Sequence, residues 1–369
     1  MFFAKLHDNE AVRIAVLWSH LSGYMNACLR ELEHIDNVEI FVGHYTPSVD
    51  SPFEREQFSW IANRYEYEAC ADKSVLLSRL IEFSPDVFLV TSWHIPEYRF
   101  ILKKFSGKAV KVLAMDNPWR GTLKQWLGIV SSRWYLQPLY DAVFLPGERQ
   151  AQFAKKLGFT EKQILRGLYC CDQEKYAVSY QEREQSRKEM PTAFIYVGRL
   201  SLEKGIETLK KGYQYYRDLS KRPWPLICCG TGPLEHLLQD VDGMVLKGFI
   251  QPEDLPNEMK KAGCLLIPSL FEPWGVVVHE ATSAGLPVIC TSSCGASVHL
   301  VQDGYNGYVV EPGKADNLGE AMLRYTQLSY ERKTEMSANS YNLSLQFTPK
   351  RWATCFYERV KELMQEQPD

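Results

Sequence analysis

What this chain lacks narrows it first. Its longest apolar runs, such as Gly263–Pro268 and Asp86–Val90, are strand-sized, whereas a spanning helix needs roughly 20 residues. Residues 1–15 carry acidic and polar side chains instead of a basic start and an apolar stretch, so no signal peptide is expected. Cytoplasmic residence is the corresponding expectation. The ten cysteines are scattered, and Cys170-Cys171 and Cys228-Cys229 have neither a C-x-x-C neighbour nor a histidine cluster. That excludes a disulfide framework or a thiolate metal site and leaves small buried hydrophobes in a reducing compartment. No G-x-G-x-x-G run follows a strand pattern, which sets nicotinamide-dependent oxidoreduction aside. There is no clear D-x-D metal site either, so no required metal is expected.

What is present describes a folded chain with room for two domains: 369 residues, 45% of them hydrophobic and 24% charged. In the first half, short apolar runs alternate with longer helical patterns. Val12–Trp18, Val38–Val42, Asp86–Val90, Ala109–Ala114 and Ala142–Leu145 read as strands, and Ser51–Ser78 reads as mostly helix-compatible. The cycle repeats with Ala193–Val197, Leu226–Cys229, Met244–Lys247, Cys264–Ile267, Pro287–Cys290 and Gly307–Val310. Strands that are apolar throughout belong to parallel sheets covered on both faces. The expected class is α/β, with two Rossmann-like doubly wound domains facing a central cleft. Their expected bounds are 1–172 and 191–345, joined by a charged link at 173–190 and followed by a helical tail at 346–369.

Three loops can carry chemistry. Gly198-Arg199 and Lys204-Gly205 directly follow a strand, and two cations five positions apart across a loop can converge on one anion. Two ordinary surface cations are the competing reading. Gly230-Thr231-Gly232-Pro233 also follows a strand; small residues there let backbone N–H groups approach a phosphate, or they form a purely structural turn. Glu272 and Glu280 are separated by seven residues that include Gly275. The first is expected on a loop and the second within a helix. A loop carboxylate can accept from sugar hydroxyls and a helical one can hold vicinal ribose hydroxyls, with the N–H groups of Gly275, Val276 and Val277 near a diphosphate. A helix-start carboxylate and a solvent-facing glutamate form the plainer reading.

Between Tyr98 and Tyr140 stand eight basic residues (Arg99, Lys103, Lys104, Lys108, Lys111, Arg120, Lys124, Arg133) and one acidic residue, Asp116. Trp119, Trp126, Trp134 and Tyr135 are interleaved with them. Either this is a solvated helix face with its aromatics in the core, or it is a surface for an anionic acceptor or an anionic membrane leaflet. No nucleic-acid recognition motif accompanies the charge, so no nucleic acid is expected.

From Ala193 to Leu323 the chain resembles glycosyltransferase family 4, retaining enzymes of the GT-B fold. The Gly-Arg…Lys-Gly element, the Gly230-Thr231-Gly232-Pro233 turn and the E-x7-E signature Glu272…Glu280 carry the resemblance. Cys294-Gly295-Ala296-Ser297 and Asp303-Gly304-Tyr305-Asn306-Gly307 continue it. It implies that Arg199 and Lys204 bind a donor diphosphate, Glu272 contacts the donor sugar and Glu280 the ribose. It also implies that the final helix crosses back to the first domain, with Trp352 packing there. In the first half, Ser22-Gly23-Tyr24 matches the family's glycine loop near donor phosphate and acceptor. Where many relatives carry a histidine, this chain has Met115-Asp116-Asn117; Asp116 falls nearest the matching position, with Asn117 and His94 as further candidates.

The implied activity is transfer of a sugar from a nucleoside-diphosphate sugar to a hydroxyl of a glycan or lipid-linked glycan, in cell-surface polysaccharide biosynthesis. The enzyme would be peripheral to the cytoplasmic face of a membrane. The nucleotide sugar is a substrate and no cofactor is required, with magnesium left open as an aid to the diphosphate. A nucleotide-sugar epimerase of similar fold and a noncatalytic nucleotide-sugar-binding protein are the competing readings.

Overall fold

The computed structural model describes residues 11–46, 55–68, 73–186 and 191–366. The expectation about the chain's start falls largely on residues 1–10, outside the described residues. The chain forms two compact units: residues 1–170 with 349–369, and residues 171–348.

The first unit holds a seven-stranded parallel sheet: β1 (Val12–Trp18), β2 (Val38–Tyr45), β3 (Asn63–Tyr67), β4 (Val87–Thr91), β5 (Val110–Ala114), β6 (Ala142–Leu145) and β7 (Ile164–Arg166). Their order is β3-β2-β1-β4-β5-β6-β7. Five of these strands coincide with the apolar runs to within a few residues. The exception that matters is β3, inside the stretch read as helix-compatible. It is an edge strand, Asn-Arg-Tyr-Glu-Tyr, buried only at Tyr67, so it shows no apolar run. The rest of that stretch at 51–54 and 69–72 lies outside the described residues.

The second unit holds β8 (Phe194–Val197), β9 (Leu226–Cys229), β10 (Met244–Gly248), β11 (Cys264–Ile267), β12 (Val288–Thr291) and β13 (Gly307–Val310). They pair in parallel in the order β10-β9-β8-β11-β12-β13. Helices cover the central strands, which is why β8, β9, β11 and β12 are almost wholly buried. One face packs Phe194, Tyr196, Tyr213, Tyr216 and Tyr325 into a continuous aromatic and aliphatic core.

In both sheets the winding reverses once, between β1 and β4 and between β8 and β11. In open α/β sheets, ligands sit beyond the strand C-terminal ends at such a reversal. The loops after β8 and β11 therefore become the focus in the second unit.

One expectation changes here. Residues 173–190 were expected to be a link, but Gln173–Ser186 is a helix packed within the second unit, with Tyr176, Ala177 and Ser179 buried. Most of its charged residues are exposed and mask the short buried set, while Arg183 turns inward to the Gly285 carbonyl and Ser337 Oγ. The chain returns to the first unit at Pro349. There the helix Pro349–Glu366 packs on the helix Gly23–Glu33. Trp352 stacks near Phe144 and Phe356 and donates its indole N–H to the Leu168 carbonyl at 2.8 Å. Truncating a buried tryptophan of this kind costs about 3–5 kcal/mol.

Candidate functional site

The loop after β8 is shaped by glycine. Gly198 N–H donates to the Cys229 carbonyl and Leu200 N–H to the Thr231 carbonyl, both at 2.9 Å, so the loop lies backbone to backbone against the Gly230-Thr231-Gly232 turn. A Cβ on Gly230 would stand 2.0 Å from the Gly198 carbonyl oxygen, and Gly230 has φ +140°. Gly230 and Gly232 are thus required by the neighbouring loop. The structural turn, one of the two readings of this run, is thus present, and the Gly230 N–H donates to the Gly248 carbonyl at 2.7 Å.

The same loop carries both cations. Arg199 is exposed, and its carbonyl accepts from the buried Tyr196 hydroxyl at 2.8 Å, which fixes the backbone beneath the guanidinium. Lys204 lies just before Gly205, the residue that opens the helix Ile206–Leu219. Its Nζ donates to Glu272 Oε2 at 2.5 Å. Lys204 and Glu272 are 68 residues apart in sequence, and they meet because β8 and β11 are neighbours at the reversal.

Glu272 is buried and held through both its main chain and its side chain. Its carbonyl accepts from Gly295 N–H at 2.9 Å, and Ser269 Oγ lies 3.5 Å from Oε2. Leu270 and Phe271 N–H groups both donate to the Glu203 carbonyl, tying the loop after β11 to the loop after β8. Gly275 adopts φ +93° and opens the helix Val276–Ser283. A side chain there would press on Glu272 Cγ at 3.1 Å and Cys294 Sγ at 3.2 Å. The first N–H groups of a helix have no intrahelical acceptor, so Val276 and Val277 present donors on the Glu272 side of the helix.

Glu280 sits on the same helix, hydrogen-bonded to the Tyr176 phenol, with Lys175 close by. Burial dominates and pushes its carboxyl up to about 7; the tyrosine and lysine oppose that rise. The neighbouring His279 is buried and neutral. Cys171 N–H donates to Nδ1 at 3.0 Å, so Nε2 carries the proton toward the Ser344 carbonyl at 3.1 Å. Burial lowers its pKa to about 4.

In the first unit, Gly23 opens the helix Gly23–Glu33 behind Ser22. Tyr24 packs edge-on against Tyr169 at 5.2 Å, and the Tyr169 hydroxyl donates to Asp116 Oδ2 at 3.2 Å. Gln150 donates to the Asp116 carbonyl at 3.2 Å. Burial pushes the Tyr24 phenol up to about 12 and the Tyr169 phenol well above its usual value, so both stay protonated. His94 and Asn117 are exposed.

Sequence reasoning thus named Lys204 and Glu272, which the structure brings together, and Asp116, which it seats in a polar cluster. It missed Tyr169 and Tyr176. Both are single aromatics whose partners lie 53 and 104 residues away, and no local spacing signals them. Among the described residues, no group of three or more His, Cys, Asp or Glu is placed to hold a metal ion. No described helix is long and apolar enough to cross a membrane. Eight of the nine described cysteines are buried free thiols.

Comparison with known proteins bears on the fold. Residues 179–343 match the family model described as Glycosyl transferases group 1. The structure superposes on the crystal structure of Anabaena HepE in complex with UDP with a TM-score of 0.73, covering 95% of this chain and 100% of that one at 17% identity. The fold is GT-B. Among curated proteins, the chain is 32% identical over 131 residues to the uncharacterized glycosyltransferase MJ1607 of Methanocaldococcus jannaschii, which is 34% of this chain and 33% of that protein. It is 30% identical over 131 residues to the putative teichuronic acid biosynthesis glycosyltransferase TuaC of Bacillus subtilis, 36% of this chain and 32% of that one. The matches thus span about a third of these relatives' lengths.

Proposed function

We propose that this chain is a retaining glycosyltransferase of family 4 that moves a sugar from a nucleoside-diphosphate sugar to a hydroxyl of a glycan or lipid-linked glycan. The observation that carries the reading is the Lys204–Glu272 pair at the sheet reversal, beside exposed Arg199 and the start of the helix Val276–Ser283. Leaving-group departure places negative charge on the diphosphate. Arg199, Lys204 and the first helical N–H groups are the donors that meet it.

The bond from the anomeric carbon to the diphosphate oxygen breaks as the acceptor oxygen bonds to that carbon on the same face. The acceptor's proton passes to the departing phosphate oxygen. Glu272 accepts from sugar hydroxyls and supports the positive charge that builds on the ring, while Lys204 moves part of its bonding from Glu272 to phosphate. Glu280 takes the ribose hydroxyls, and Asp116 serves the acceptor side of the reaction. Solved neighbours of this fold include Anabaena HepE with UDP-glucose, and curated relatives include an Escherichia coli O-antigen chain mannosyltransferase, which supports a role in surface polysaccharide assembly.

The test is product analysis. Purified protein is incubated with UDP-, GDP-, ADP- and dTDP-sugars and a panel of glycan acceptors, and the anomeric configuration is read by NMR. Retention with release of nucleoside diphosphate is expected. Inversion would overturn the mechanism, and epimerised sugar released without acceptor would replace transfer by epimerisation.

A further inference from the structure

The helix Leu123–Tyr135 is fixed to the first unit along one side. Ser132 Oγ donates to the Leu157 carbonyl at 2.6 Å, Ile129 and Tyr135 pack on the core, and Arg99 lies over the Tyr135 ring at 3.8 Å. Thr122 caps its start by accepting from Gln125 N–H. The opposite side is apolar and open: Leu123, Trp126, Leu127, Val130 and Trp134 are each between 53% and 83% exposed. At roughly 100° per residue these five fall in one arc of roughly 100°, opposite buried Ser132. No other element among the described residues exposes more than two large apolar side chains.

The charge on this helix itself is of one sign. Lys124 and Arg133 flank the stripe on its two sides and are exposed, as is Arg120 just before the helix. The helix carries no acidic residue. Lys103, Lys104 and Lys108 are exposed on and just after the preceding helix. Lys111 leaves this group: it is buried in β5 with its amine donating to the Ala109 carbonyl, so the basic surface is smaller than the sequence count. The aromatics also divide. Trp119 lies partly buried against Phe153 with Lys156 over its ring, Trp126 sets its ring edge-to-face against Trp119 at 5.2 Å while staying exposed, and Trp134 faces outward.

We infer that the helix Leu123–Tyr135 is an interfacial docking helix that lays its Leu, Val and Trp stripe into the surface of an anionic lipid bilayer. A rigid helix with a tryptophan-containing apolar face and cations on both flanks matches the boundary between acyl chains and headgroups, where such faces bury about 5–10 Å deep. Lysine and arginine then reach the anionic headgroups. A second copy of the chain is the poorer occupant, because a two-fold contact through this stripe would bring Lys124 and Arg133 against their own copies. The inference stands apart from the transfer reaction, since vesicle binding is read without a nucleotide sugar.

The experiment is co-sedimentation of the full-length chain with vesicles of phosphatidylcholine alone or with about one third phosphatidylglycerol, at low and high salt. Binding to the anionic vesicles, weakened by salt, is expected. Replacing Lys124 and Arg133 together by Glu should lower partitioning by at least roughly 30-fold, since each basic residue contributes about fivefold. Trp126→Ser with Trp134→Ser should lower it more than about tenfold. Both double variants should keep the wild-type circular dichroism and nucleotide binding. Wild-type protein that stays in the supernatant, or variants that partition like wild type, would overturn the inference. So would a wild-type dimer in sedimentation velocity that dissociates on Trp134→Ser without any vesicle binding.

Discussion

In the second unit the loops after β8, β9 and β11 hold one another through the backbone, whereas in the first unit the loops after β1, β5 and β7 meet through side chains. Gly198, Leu200 and Leu234 N–H groups cross between the β8 and β9 loops, and Leu270 and Phe271 N–H groups tie the β11 loop to Glu203. In the first unit, Tyr24, Tyr169 and Asp116 make the corresponding connection through an aromatic contact and side-chain hydrogen bonds. Where the two backbones press closest, at Gly230 and Gly232, only glycine fits, and that leaves a spaced motif in the sequence. Side-chain contact can be made by many residue combinations and leaves none. The donor-like half of the molecule is therefore written in recognisable motifs, and the other half is not.

The comparison can be broken most sharply by function. Arg199→Ala should cost about 10²–10³-fold in turnover, the scale of losing one charge-stabilising donor in an active site. Asp116→Asn should instead act on the acceptor side and leave nucleotide affinity near wild type. Equal loss of nucleotide binding in the two variants would erase the assigned division of labour.

Stability gives the next contrast. Gly230→Ala places a methyl group on the Gly198 carbonyl at a φ that L residues rarely adopt, and should destabilise the fold by about 3 kcal/mol. Gly128→Ala, in a helix interior with no atom within 4 Å of the new methyl, should raise stability by up to about 1 kcal/mol. Chemical denaturation of both variants separates a glycine required by packing from one that is merely tolerated.

The pair His279 and Glu280 titrates in opposite senses. Unfolded His279 takes a proton near 6.5 and the native side chain near 4, so its contribution to stability is lost as pH falls through that window. Unfolded Glu280 ionises near 4.5 and the native carboxyl near 7, so its contribution is lost as pH rises between those values. If the ionised carboxylate is the form that accepts from ribose hydroxyls, nucleotide affinity should rise about tenfold from about pH 6 to about pH 8. Glu280→Gln should flatten that rise, and a slope kept in this variant would assign it elsewhere. The smallest expected effect is Tyr169→Phe, which removes one hydrogen bond to Asp116 and should cost about 1 kcal/mol by denaturant titration.

These contrasts also explain what could be read without coordinates. Central strands such as Val12–Trp18 and Cys264–Ile267 are legible because a buried parallel strand is apolar at every position. The edge strand Asn63–Tyr67 is not, since water on its open side removes the pattern. Glu272 and Lys204 were legible as motif residues, but their hydrogen bond was not, because it depends on β8 and β11 becoming neighbours. The helix Gln173–Ser186 looked like a link because its buried residues are few among charges, and Tyr176 was lost with it.

The central claim is that Arg199, Lys204 and Glu272 surround a nucleoside diphosphate. Its most direct test is calorimetric titration of the full-length chain with UDP, GDP, ADP and dTDP, each beside its monophosphate, in wild type and Arg199→Ala. The account predicts that at least one diphosphate binds more tightly than its monophosphate and that Arg199→Ala removes that preference. Absence of binding by every diphosphate, or a preference unchanged in the variant, would contradict it.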